Sequence, residues 1–120
     1  MDSLIYESIT PIKEGIVQID KYQVQHFAGG TGYFLKAMIW LYDDNKATIA
    51  NARFYKNAND VPAHDTKAPS GFIACHYPPE QYSDVIDLLR NEGPIYLHFS
   101  DVHQMGYFST SREPVGEGEL

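Results

Sequence analysis

Apolar residues recur at every second position through the first half of this chain, and one later stretch carries a helical period instead. Alternation of this kind sends successive side chains to opposite faces of a pleated strand, so the fold has to be dominated by sheet. In Ile16 to Phe27 (IVQIDKYQVQHF), one side carries Ile16, Gln18, Asp20, Tyr22, Val24 and His26, and the other Val17, Ile19, Lys21, Gln23, Gln25 and Phe27. The apolar side changes near Asp20 and Lys21, which fits a bulged strand or a hairpin turning there. Neither residue adopts φ > 0 cheaply, so one long bent strand is favoured. Tyr33 to Tyr42 (YFLKAMIWLY) is a second strand, and Lys46 to Tyr55 returns after a turn at Asp43, Asp44 and Asn45. A loop of two or of three residues is compatible with that turn, and the register stays open. Gly71 to Tyr77 is a further strand.

The exception to the period lies at about residues 79–92. Tyr82, Val85, Ile86 and Leu89 are spaced i, i+3, i+4, i+7 behind Pro78 and Pro79, with Glu80 early, Arg90 late, and Gly93 and Pro94 ending the pattern. That is an amphipathic helix with its ordinary start and stop signals. After it, Ile95 to Ser100 and Met105 to Thr110 form a hairpin around DVHQ. Setting Ser100 opposite Met105 places Leu97 opposite Phe108 and His98 opposite Tyr107. One face then collects Ile95, Leu97, Phe99 and Phe108; the other collects Tyr96, His98, Ser100, Tyr107 and Ser109.

These elements predict an α+β chain: a mostly antiparallel sheet, or a partly open barrel, of six to seven strands, with one helix between the fifth and sixth. Alternating βα units are missing, which excludes a doubly wound parallel sheet. No linker or repeat divides residues 1–120, so they are read as one domain, with 112–120 a mobile acidic tail. Ile39, Leu41, Ile73, Val85, Ile86, Leu89, Leu97 and Phe108 are the expected core, and Leu89→Ala is expected to destabilise by about 2–5 kcal/mol. Around Met38, Ile39 and Trp40 apolar side chains fall on both strand faces, more than one core and one helix can cover. A twofold homodimer is the simplest cover.

Charge narrows the partners. Nine Lys and Arg face sixteen Asp and Glu, a net charge of −7. Without a basic cluster the chain lacks the footprint that neutralises phosphates, so neither nucleic acid nor an anionic membrane is an expected partner. A lone cysteine, Cys75, cannot form an internal disulfide, which fits a reducing compartment. Residues 1–15 carry no basic and apolar leader, and the longest nearly apolar run, Tyr33 to Tyr42, is far shorter than the ~20 residues of a spanning helix. A cytoplasmic location is the expectation.

Several apparent motifs carry no chemistry. Gly29, Gly30, Thr31 and Gly32 (GGTG) lead into a strand, whereas a phosphate cradle leads into a helix; the glycines suit a turn. Five histidines, His26, His64, His76, His98 and His103, show no metal-ligand spacing, so neither metal nor cofactor is expected. Cys75 and His76 are strand neighbours pointing to opposite faces and cannot form a dyad; Cys75 packs as a small hydrophobe. His64 and Asp65 sit in Lys56 to Ser70, a polar loop longer than most and a candidate functional loop. Catalytic residues are not assigned.

Tyrosine content is the informative excess: nine Tyr, with six Phe and one Trp. Tyr96, His98 and Tyr107 are the candidate binding residues, because tyrosine offers a rigid contact area with a polar tip. A homodimer partner, a ligand or the Lys56–Ser70 loop is expected to cover them. The favoured function is a small binding or interaction module for a protein partner or small ligand. The alternative is a small enzyme with an acid–base site made from His98, Tyr96 or Tyr107, and a carboxylate such as Asp101.

Overall fold

The computed structural model describes residues 16–30, 32–112 and 115. Most of the expected acidic tail, and residues 1–15, lie outside the described residues. Within them are β1 (Ile16–Ile19), β2 (Lys21–His26), β3 (Leu35–Tyr42), β4 (Thr48–Tyr55), β5 (Thr66–Lys67), β6 (Ile73–Tyr77), α1 (Tyr82–Asn91), β7 (Ile95–Ser100) and β8 (Met105–Thr110). The fold is α+β, as the alternation requires, with the strands in two sheets: β1-β7-β8 and β2-β3-β4-β6-β5. The described strands do not close into a barrel. All pairs are antiparallel except β4 with β6.

Two expectations change here. Eight strands replace the six or seven, and the helix lies between the sixth and seventh. One extra strand is the two-residue β5; the other arises because Ile16 to Phe27 is not one bent strand. The chain breaks at Asp20, pairs β1 with β7, and pairs β2 with β3. Asp20 N–H still donates to Tyr42 O (2.8 Å), so the corner costs the five-stranded ladder nothing. Val17 and Ile19 face Leu97 and Ile95, whereas Tyr22 and Val24 face Leu41 and Ile39. The change of apolar side at Asp20 is therefore the change of sheet.

The β3–β4 connection is residues 43–47, longer than either loop considered, with a register shift between Leu41 and Tyr42. Asp43 Oδ1 accepts the N–H groups of Asn45 and Ala47 (2.9 Å each), and Lys46 takes φ 68°. A side chain that satisfies its own turn's donors makes the longer loop affordable. The parallel β4–β6 pair needs a long crossover to bring the chain back to the same end, and residues 56–72 are that crossover. Their length is topological.

Inner faces of both sheets and one face of α1 enclose the main core, centred on Ile39, Leu41, Phe54, Ile73, Cys75 and Leu97. Alanines at 37, 50 and 52, fully buried, let the layers approach. Phe54 fills the end under the helix, stacked on Tyr77 (5.1 Å) and edge-on to Tyr82 (5.2 Å). A 3-10 turn, Pro79–Gln81, leads into α1, which buries Val85 and Leu89. The helix ends where Glu92 becomes extended (φ −113°, ψ 155°), not with a left-handed Gly93.

Ile86 and Phe108, expected in the core, are only half-buried. Ile86 lies on the flank of the helix stripe. Phe108 is on an edge strand with a ladder partner on one side only. Leu89 sits at the margin of the core, so Leu89→Ala is expected at the low end of its range, about 2 kcal/mol by urea unfolding. A change under 1 kcal/mol would place the helix on another face.

A second, smaller cluster lies on the outer face of the five-stranded sheet, where Leu35, Met38 and Tyr55 are buried under Phe27, Trp40 and Val61. Trp40 Nε1–H donates to Gln25 Oε1 (2.8 Å), and Tyr42 O–H donates to Gln23 Oε1 (2.9 Å). The second apolar face near Met38 and Trp40 is thus covered by this chain's own residues. A dimer is not needed to cover it.

Candidate functional site

The terminal hairpin has the expected register: Leu97 opposite Phe108, His98 opposite Tyr107, Ser100 opposite Met105. Tyr96 stands between Gln18 on β1 and Ser109 on β8, and His98 between Ile16 and Tyr107. Strand alternation then sets Ile16, Gln18, Tyr96, His98, Ser100, Met105, Tyr107 and Ser109 on the outer face of the three-stranded sheet. The imidazole of His98 stacks on the Tyr107 ring (4.7 Å, 3° between planes), and its Nε2 shares a 2.6 Å hydrogen bond with Ser109 Oγ. Burial pushes the His98 pKa below its ordinary 6.5. Tyr96, His98 and Tyr107 are therefore brought to one face as predicted.

Two companions expected there are elsewhere. The Lys56–Ser70 loop does not cover the cluster, because Asp65 anchors it to β6 and to the free edge of β8. Asp65 Oδ1 accepts His76 N–H and Oδ2 accepts Gly106 N–H, both at 2.8 Å, while Asp65 N–H donates to Gln104 O (2.9 Å). Asp101 belongs to the β7–β8 turn and lines a cleft of about 290 Å³ with His64, Asp65, Lys67 and Phe99. Among the described residues no carboxylate hydrogen-bonds His98. The His98–carboxylate pair that an acid–base site with Asp101 calls for is therefore not assembled among the described residues.

A second polar cluster, which the sequence reading missed, occupies the outer face of the five-stranded sheet. Arg53 pairs with His76 across β4 and β6, and Tyr55 O–H shares a 2.8 Å hydrogen bond with His76 Nδ1. Burial raises the Tyr55 pKa and lowers that of His76; Asp65 pulls His76 the other way, more weakly. Both shifts favour the neutral forms of the phenol and the imidazole, which share the bond at Nδ1. Asn51, beside them and 1 % exposed, donates to Met38 Sδ (3.7 Å), and among the described residues its Oδ1 has no partner. Side chains of the same sheet pack around this group, and the Tyr55–His76 hydrogen bond braces it. Cys75, on the other face, is fully buried as expected, and burial drives its thiol pKa upward, so it is no nucleophile.

The histidine shifts have a measurable sign. His76 and His98 titrate lower in the folded chain than when unfolded, so the unfolded chain takes up protons first. Their contribution is complete above about pH 6.5 and is lost as pH falls through the folded values. The melting temperature should fall between about pH 7.5 and about pH 5.5. A His76→Gln, His98→Gln double variant should show a clearly smaller fall. An equal fall in both would assign the pH dependence to other groups.

A cavity of about 290 Å³ lies where β1, the β3–β4 turn and the start of β6 converge, lined by Ile16, Val17, Ile49, Phe72 and Ile73, with Asp43, Lys67 and Ser70 toward solvent. Glycines 29, 30 and 32 belong to the β2–β3 connection, and Gly32 takes φ 88°, the turn role expected. Among the described residues no group of three or more His, Cys, Asp or Glu is placed to hold a metal ion, and no helix is long and apolar enough to cross a membrane. No family model, curated protein or solved structure matches this chain.

Proposed function

We propose that this chain is a small interaction module that works through the outer face of the three-stranded sheet, and that a second copy of the chain is its partner there. One observation carries the reading. In a chain of net charge −7, the described strand positions on that face include no Asp, Glu, Lys or Arg. It presents tyrosine, histidine and methionine instead, with Met105 44 % and Tyr107 42 % exposed. Depletion of charge with enrichment of Tyr and Met is the composition of an interface centre. An uncharged patch also lets two acidic copies meet without setting like charges against each other. A symmetric pair would set the Tyr107 ring of each copy against the other sheet. We assign the module to the cytoplasm, supported by the free, buried Cys75, and the net charge of −7 argues against nucleic acid or an anionic membrane as partner.

Sedimentation equilibrium over a concentration series tests this. The wild-type chain should move from 13.6 kDa toward twice that mass as concentration rises. Tyr107→Glu buries a carboxylate against its own copy and should abolish the shift, with little loss of melting temperature at low concentration, since Tyr107 is 42 % exposed and gives up only its stack on His98. His98→Ala with Tyr107→Ala should act alike. A species that stays at 13.6 kDa at millimolar concentration would refute the proposal. Unfolding of the double variant would instead make these residues part of the fold.

A further inference from the structure

The cavity at the β1 end of the molecule is a second candidate, sharing only Ile16 with the face above. Its walls are two turns fixed by their own hydrogen bonds. On one side Asp43 closes residues 43–47, accepting from Asn45 and Ala47. On the other, Gly71 N–H donates to Ala68 O and Ala68 N–H to Phe72 O (2.8 Å each), with Gly71 in the left-handed region at φ 98°. Ile73, buried, forms the floor, while Ile16, Val17, Ile49 and Phe72 are half-buried around it. Four large apolar side chains left half-wet around one preformed hollow are the mark of a ligand site.

From this geometry we infer that the cavity binds a small apolar monocarboxylate, its chain against Val17, Ile49 and Ile73 and its head on Lys67. Size sets the upper limit. A dry cavity of about 150 Å³ accepts benzene, so one of about 290 Å³ takes roughly ten non-hydrogen atoms. Charge sets the head group. Asp43 also lines the cavity, but its Oδ1 is already engaged by two backbone donors. Lys67 is exposed on β5, and no carboxylate lies within ion-pair distance of it among the described residues. Asp43 keeps its charge but is tied into its own turn, so the exposed ammonium of Lys67 is the lining charge free to turn onto a ligand, and it favours an anionic head.

Octanoate is the probe, followed by methyl NMR of the full chain, with octylamine and octanol in parallel. Octanoate should shift the Val17, Ile49 and Ile73 methyl signals saturably, with Kd of about 1 mM or below for a ligand of this size. Octanol should bind more weakly and octylamine weakest. Lys67→Glu, a surface change that leaves the fold intact, should weaken octanoate about tenfold and reverse the preference toward octylamine. Ile49→Trp should fill the space and remove binding of all three. Absence of saturable shifts at 5 mM octanoate would overturn the inference. So would octylamine binding the wild-type chain as tightly as octanoate, or Lys67→Glu leaving octanoate affinity unchanged. None of these results depends on whether the chain self-associates.

Discussion

Gly106→Ala is expected to destabilise the fold by about 3 kcal/mol or more, although the residue is in an ordinary strand conformation. Gly106 is buried in β8, opposite Phe99, and faces β6. A methyl group there would overlap Cys75 Sγ and press on Ile73 Cγ2 at 3.4 Å. Both neighbours are buried core side chains, and the nearer one, Cys75 Sγ, is fully buried on a short side chain, so the two sheets would have to move apart locally. The diagnostic result is a double-mutant cycle. Cys75→Ala removes the sulfur that the new methyl meets, so the Cys75→Ala, Gly106→Ala pair should cost at least about 1 kcal/mol less than the sum of the single changes. Additive costs would mean that β8 and β6 do not approach at this point.

Asp65→Ala should cost about 3 kcal/mol, a large effect for a half-buried loop residue. Its two carboxylate oxygens each hold one backbone N–H, on strands of different sheets. Removing the side chain leaves both donors without a protein partner, and hydrogen bonds to charged groups are worth about 1.5–3 kcal/mol apiece. Asp65→Asn should be nearly as costly. An amide can offer one acceptor oxygen, but its NH2 would then face the other N–H, donor against donor. Amide hydrogen exchange localises the loss: His76 and Gly106 should lose protection in both variants well before the centre of β3 does. A surface-like change under 0.5 kcal/mol would show that solvent already serves those two groups.

Much of this fold could be read from local pattern. The hairpin from Ile95 to Thr110 came out in register because a short turn and strict alternation leave one solution, and that placed Tyr96, His98 and Tyr107 together. The α1 stripe was legible for the same reason. What escaped was non-local. A reversal of apolar side at Asp20 is visible in the residues, but a kink and a change of sheet produce the same reversal. Only the partner strand, about seventy-five residues away, separates them. The Tyr55–His76 pair depends on β4 lying parallel to β6, and on the register that sets Arg53 opposite His76. Neither fact is encoded near Tyr55 or His76. Asp65 looked like one polar residue in a polar loop because its partners are main-chain groups, which have no signature in side-chain chemistry.

The corner at Asp20 also bears on how the chain comes off the ribosome. Every strand of the five-stranded sheet has been synthesised once Tyr77 emerges. β1 has no such early partner: it is made near the beginning and pairs with β7, near the end. At about 5–20 residues per second, Ile19 precedes Ile95 by roughly 4–15 s of translation. From Tyr77 onward, roughly the last 1–4 s of that interval, Val17 and Ile19 hang from a sheet whose strands are all made, with their apolar sides uncovered. Nascent chains should therefore be most vulnerable to holdases and to aggregation in that window. Slowing elongation after residue 77 should lower the soluble yield, and an N-terminal solubility tag should restore it.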